Sequence, residues 1–283
     1  MMSKSPGPEM GKSARTADVT MSRPQKAEKR DAFTELLSPK NKQQKSKTPH
    51  TWYDYMQSEK RAPGGPRDAL GAYIKDPESF SSNVVIYHNE NFVAIHDRYP
   101  KSTLHLLLLP RDLSKTRLHP FDAFDNPEFL EKVRMEVKKI RALAATELRR
   151  MYGKESAQEK RRYDALDADP PPDELPSGRD WEKEIMCGIH SGPSMNHLHI
   201  HVMSVDRYSE RMKSKKHYNS FSTPFFVDIA DFPLPKNDPR RHFRKLGYLQ
   251  SDYICWRCGR NFGNKFAELK GHLEKEFNEW KRQ

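Results

Sequence analysis

The chain has 283 residues, a formal net charge of +11 and a pI near 9.4. Hydrophobic residues make up only 35%, so part of the chain is expected to lie outside any packed core. No apolar run is long enough to span a bilayer, no apolar secretory core opens the chain, and three cysteines make no disulfide framework. A reducing compartment fits that cysteine usage.

Residues 1–62 are rich in Lys, Ser, Pro and Gln without sustained periodicity, and are expected to form a disordered basic tail. Phe33–Leu37 and Trp52–Met56 are candidate short helices within it, and the lysines from Lys40 to Lys47 are a candidate nuclear-import signal. Lys and Arg outnumber Asp and Glu in this tail and again in 236–283, whereas 154–185 is acidic. Two basic ends point to a polyanionic partner. After a break at Gly64-Gly65-Pro66, the pattern predicts a short helix around Asp68–Lys75. Strands follow at Val84–Tyr87, Phe92–His96 and Leu104–Leu109. Pro127 suits the first turn of a long helix, in which Leu130, Val133, Val137, Ile140 and Ala144 recur at spacings of three and four. Gly153 marks its end, and 154–179, with Pro170-Pro171-Pro172, reads as an exposed insertion. A strand at Ile185–His190 then leads to the most informative stretch.

That stretch is Asn196-His197-Leu198-His199-Ile200-His201-Val202. Side chains alternate across a strand, so the three imidazoles share one face while Leu198, Ile200 and Val202 enter a core. Imidazole is a nucleophile when neutral and a donor to phosphate oxygens when protonated. Upstream, His190-Ser191-Gly192-Pro193-Ser194-Met195 adds a fourth histidine, a tight turn and a hydroxyl, as a phosphate cradle would. Asp97 follows the strand Phe92–His96; by itself it reads as an ordinary turn carboxylate, although a carboxylate at a strand end can bond sugar hydroxyls.

Near the C-terminus, Cys255 and Cys258 precede His272 and Glu276. The first pair has knuckle spacing; the second lies at i, i+4 on one helix face. Four protein ligands leave no open position, so one Zn²⁺ per chain is expected in a structural role. Phe262 and Leu269 fall where a small finger keeps its core, and Arg257, Arg260, Lys265 and Lys270 add positive charge suited to phosphates.

The His-φ-His-φ-His-φ-φ run, the preceding Ser-containing loop and Asp97 resemble the histidine-triad superfamily of nucleotidyl hydrolases and transferases. With the Cys-Cys-His-Glu finger, and with Lys215-Lys216-His217-Tyr218-Asn219-Ser220-Phe221 after the triad, residues 64–283 are similar to the aprataxins, DNA-5′-adenylate hydrolases, and to fungal members in particular. The forkhead-associated domain of vertebrate members is not found. The resemblance implies an α+β fold: a histidine-triad antiparallel sheet with helices over residues 63–225, then a small ββα-like finger module over 226–283. It implies that His199 attacks the AMP phosphorus, His197 organises the network, His201 and Ser194 hold phosphate oxygens, and His190 assists departure of the DNA phosphate. Asp97 would bind ribose and Lys216 would lie near the DNA phosphate. Nicked or double-stranded DNA bearing 5′-AMP would be the substrate, AMP the product, and the nucleus the location, with no catalytic cofactor and no membrane. The family sets a wedge from its first helix against the terminal base pair; Leu70 and Tyr73 are the nearby candidates. Two other readings remain open: a hydrolase of small adenylates or dinucleoside polyphosphates, and a finger protein with an inert triad.

Overall fold

The computed structural model describes residues 65–283. The expected tail at 1–62, its two candidate helices and its lysine run lie outside the described residues. Six antiparallel strands form one sheet in the order β1-β2-β3-β5-β4-β6. They are β1 Val85–His88, β2 Phe92–His96, β3 His105–Pro110, β4 Ile185–His190, β5 Ile200–Ser204 and β6 Phe226–Asp228. The helices are α1 Gly71–Lys75, α2 Pro120–Ala123, α3 Pro127–Tyr152, α4 Ala157–Leu166, α5 Lys215–Ser222, α6 Phe243–Leu246 and α7 Phe266–Trp280. Among the described residues, no helix is long and apolar enough to cross a membrane.

The two faces of the sheet are covered differently. On one face Ala94, Leu106, Leu108, Cys187, Ile189, Ile200 and Val202 pack against the apolar stripe of α3, Leu130, Val133, Val137, Ile140, Ala144 and Leu148. Each Val, Leu or Ile among them contributes about 1.5–3 kcal/mol on burial. The Asn126 side chain accepts from Phe129 N–H and Pro127 opens the first turn of α3, fixing its start. Gly153 is the C-cap as the pattern predicts, in right-handed rather than left-handed conformation. On the opposite face, Val93, Ile95, Leu107 and Leu109 pack under Leu70 and Ile74 of the α1 segment. The remainder of that face carries the histidines.

Two segments carry packing beyond what the sequence pattern suggests. The segment 154–179 is not merely an exposed insertion. It holds α4, capped by Ser156, and Glu159 is buried beneath it, accepting from Trp181 Nε1 at 2.9 Å and Arg149 Nη2 at 3.0 Å. A boundary between residues 225 and 226 falls inside the structure: β6 pairs with β4 through Val227↔Ile189. Trp280, at the end of the finger helix, lies in the main core, donating from Nε1 to Glu184 at 2.6 Å. Arg179 stacks on Trp280 and Trp181 and donates to the Trp280 carbonyl at 2.7 Å. Finger and sheet therefore share packing.

Candidate active site and metal centre

The alternation expected of the triad holds. His197, His199 and His201 are buried on the site face, and Leu198, Ile200 and Val202 enter the core. Ladder pairing begins only at Ile200, with Ile200↔Leu108 and His201↔Leu107. His197, in a bend, and His199 precede it. Ring centroids lie 4.9 Å apart for His199 and His201 and 4.5 Å for His190 and His201. Phe221 of α5 packs against both His190 and His201. The sheet and α5 thus bring together His190, His199 and His201 from two strands.

Hydrogen bonds fix which nitrogen of each ring is free. The carbonyl of His197 accepts from His199 Nδ1 at 2.8 Å. The His199 proton is therefore on Nδ1, and the Nε2 lone pair faces the site. The backbone N–H of Lys101 donates to His105 Nδ1 at 3.1 Å, which puts the His105 proton on Nε2. That N–H points at His201 Nδ1, 2.9 Å away, with Asp97 Oδ2 at 3.5 Å. His201 then carries its proton on Nε2. Among the described residues, His201 Nε2 and His190 Nε2 are buried without a partner. Asp97, His105 and His201 also converge closely enough to suggest a metal, but 2.9 Å between ring nitrogens of fixed tautomer is a hydrogen bond.

Burial lowers the basicity of every one of these rings. It holds His199 below the ordinary histidine value, against the raising effect of its bond to the His197 carbonyl and of nearby Asp97. It lowers His105 to about 4. Burial first, then the other imidazoles, holds His190 and His201 well below 6.5. The expectation of imidazolium donors is therefore revised: burial favours neutral rings, His201 Nε2–H is the donor the tautomers leave facing the site, and an arriving phosphate would restore basicity.

His105 and Lys101 were missed as site residues in the sequence. His105 sits in an apolar strand outside the sequence motifs; only its alternation with Leu106 and Leu108 marks its face. Lys101 is half-buried, its ammonium donating to the Tyr99 carbonyl, and burial lowers its basicity. Asp97 is half-buried and accepts from Tyr99 N–H at 2.6 Å. Ser194 is exposed on the β4–β5 loop, its carbonyl accepting from Arg67 Nε at 3.0 Å. Lys216 is exposed in the first turn of α5. The side chains of Ser194 and Lys216 reach no hydrogen-bond partner within the cluster. The wedge candidates are absorbed by packing: Leu70 is buried, and Tyr73 lies 4.5 Å from Phe80, ring to ring.

The second cluster is Cys255, Cys258, His272 and Glu276, whose donor atoms all lie within 4.8 Å of one another. Cys258 Sγ and His272 Nε2 are 3.2 Å apart, and His272 Nε2 and Glu276 Oε1 3.0 Å. A tetrahedral zinc site with bonds of about 2.0–2.3 Å needs donors about 3.3–3.8 Å apart, so the residues present fit one Zn²⁺. The Ile254↔Asn261 bridge forms the knuckle, and α7 supplies His272 and Glu276. Phe262 and Leu269 are buried there, with Tyr218 of α5 beside them. Tyr218 donates to the Ile254 carbonyl at 2.9 Å and accepts from Trp256 N–H at 3.0 Å, tying the finger to α5. Arg257 is not a free cation: it bonds Glu276 Oε2 at 2.7 Å and orients that carboxylate. Lys265 pairs with Glu268.

A model described as the HIT domain matches residues 79–208, and one described as the C2HE / C2H2 / C2HC zinc-binding finger matches residues 222–279. An aprataxin-like protein of Schizosaccharomyces pombe is 36% identical over 219 residues, covering 76% of this chain and 82% of the relative. One from Saccharomyces cerevisiae is 40% identical over 218 residues, covering 75% and 96%. The crystal structure of the aprataxin ortholog Hnt3 in complex with DNA matches at 32% identity and a TM-score of 0.59, covering 76% of this chain and 96% of that one.

Proposed function

This chain belongs to the aprataxin family, and from that premise we propose that it removes AMP from 5′-adenylated DNA ends left by abortive ligation. The hydrogen bond from His199 Nδ1 to the His197 carbonyl carries the reading, because it leaves Nε2 as a lone pair in a buried, neutral ring. His199 Nε2 attacks the AMP phosphorus, and the bond to the 5′-phosphate oxygen of DNA breaks. A covalent adenylyl-histidine forms, and water then attacks it to release AMP. His201 Nε2–H, held in its tautomer by His105, donates to a phosphate oxygen. His190 is neutral in the empty site; the charge of the bound phosphates raises its basicity so that it can supply a proton to the departing DNA phosphate. His197 supplies the carbonyl that orients His199. Ser194 holds a phosphate oxygen, Asp97 the ribose, and Lys216 the DNA-phosphate side. The zinc site holds the finger in shape, and the finger adds affinity for duplex DNA. A nuclear location follows from the substrate and is supported by the lysine-rich sequence at 40–47.

The test is intact-mass spectrometry after incubation with 5′-adenylated nicked DNA. The expected result is one adenylyl adduct, mapped to His199, that decays as AMP appears. Turnover of a dinucleoside polyphosphate at a higher kcat/KM than adenylated DNA would make the small-nucleotide reading the better one.

A further inference from the structure

A groove of about 770 Å³ opens beside the β4–β5 loop, and of the residues given roles above it is lined by His197. Its rim carries Arg67, Arg117, Arg244 and Lys245, all exposed. Arg67, Arg244 and Lys245 form no ion pair among the described residues. Arg117 pairs with Asp68 at 3.2 Å. The floor is apolar, with Leu118, Pro193, Met195 and Phe243. The Phe243 ring lies so close to Gly192 that a Cβ there would meet it at 2.2 Å. The groove wall is thereby clamped onto the loop that carries Ser194.

His197 lines this groove, whereas His201, at the other end of the triad, faces His105, and Lys101 acts on it electrostatically. Four residues of chain separate the two ends, which sets them at most about 13 Å apart. The reacting phosphorus, at His199, sits between them. A basic rim over an apolar floor is the composition that holds an unstacked single strand: cations track the backbone and apolar surfaces take the bases. The chain before Gly65 carries excess Lys and Arg, so charge complementarity favours an external polyanion over that segment. Resting on the DNA-adenylate reading, we propose that this groove binds the strand across the nick, the one ending in the 3′-hydroxyl, unstacked beside the adenylated end. The 5′-adenylated strand lies toward Lys216 and the zinc-binding part of the C-terminal module, residues 253–280, whereas Arg244 and Lys245 precede that part and face the groove.

The experiment compares wild type with the double variant Arg244→Glu, Lys245→Glu on two substrates: a 5′-adenylated nick, and a 5′-adenylated duplex end with no upstream strand. Fluorescence anisotropy is read across a salt series. For the nick, the slope of log affinity against log salt should shrink by about two, one per lost phosphate contact, and KM should rise. For the duplex end, slope and KM should be unchanged. Equal losses on both substrates, or none on either, overturn the assignment. A weakened inhibition by free AMP in the variant would give the groove to the adenosine and overturn it too. If wild type releases AMP from neither substrate, the functional reading fails instead, which separates the two failures.

Discussion

The histidine cluster and the zinc centre use the same ring to opposite ends. In the finger, His272 meets two thiols and a carboxylate, and Arg257 satisfies the second oxygen of that carboxylate. All donors turn inward, so the site is complete once the ion binds. In the cluster, the imidazoles keep their outward nitrogens free: His190 Nε2 and His201 Nε2 are buried without a partner among the described residues. A buried polar atom without a partner costs roughly 1–3 kcal/mol. That cost is recovered when a phosphate arrives. One site is closed to stabilise a fold; the other is left unsatisfied to bind a substrate.

The sharpest way to break this comparison is His199→Ala. It should abolish the adenylyl adduct by intact mass while DNA binding persists, since affinity rests on cations. A normal rate of adduct formation would move the nucleophile elsewhere. Next comes the closed site. Cys258→Ser should lose about one zinc per chain by elemental analysis and unfold the finger, because folding of such modules is coupled to the metal. Trp280 couples the finger to the main core, so the melting temperature of the whole protein should fall as well. Turnover of adenylated nicked DNA should drop much more than turnover of a small adenylate; equal losses would make the finger a support of the catalytic fold.

His190→Ala should slow single-turnover adenylylation by about 10²–10⁴-fold while leaving His199 able to attack. Gly71→Ala should act more weakly. Its Cβ would come within 2.9 Å of the His197 ring, and overpacking of this kind costs roughly 1–3 kcal/mol. The expected effect is a lower melting temperature and slower adduct formation, through displacement of the carbonyl that orients His199. A last prediction concerns stability against pH. The folded basicities of these rings lie below their unfolded value near 6.5, so the unfolded chain binds more protons between the two. Stability should be full above about pH 6.5 and fall as the solution is acidified toward about 4, the folded value of His105. Replacing His105 with Phe should flatten part of that slope in urea titrations run across the same range.

Much of the fold was legible because its signals are local. Strand Ile185–His190 and the α3 start at Pro127 fall where alternation and capping put them. The segment 154–179 is largely exposed, as its composition suggests, but the burial of Glu159 under Trp181 and Arg149 has no local signal. The expected boundary at 225–226 lies close to where the finger model begins to match, at 222, while the pairing of the three-residue β6 with β4 has no local signal.

For the site, sequence alone determined the residue types: three alternating imidazoles, a Ser-bearing loop and four zinc donors at fixed spacings. Those spacings work locally, since a strand alternates every residue and a helix repeats within a turn. Only the tertiary structure decided the state of those groups. Burial by α5 and the sheet holds the imidazoles neutral, and contacts across the chain choose their tautomers. His105 and Lys101 come from a hairpin about 100 residues before the triad, and only the β3–β5 pairing brings them to His201. Protonation depends on what surrounds a ring in space, and that is set by packing rather than by neighbours in the chain.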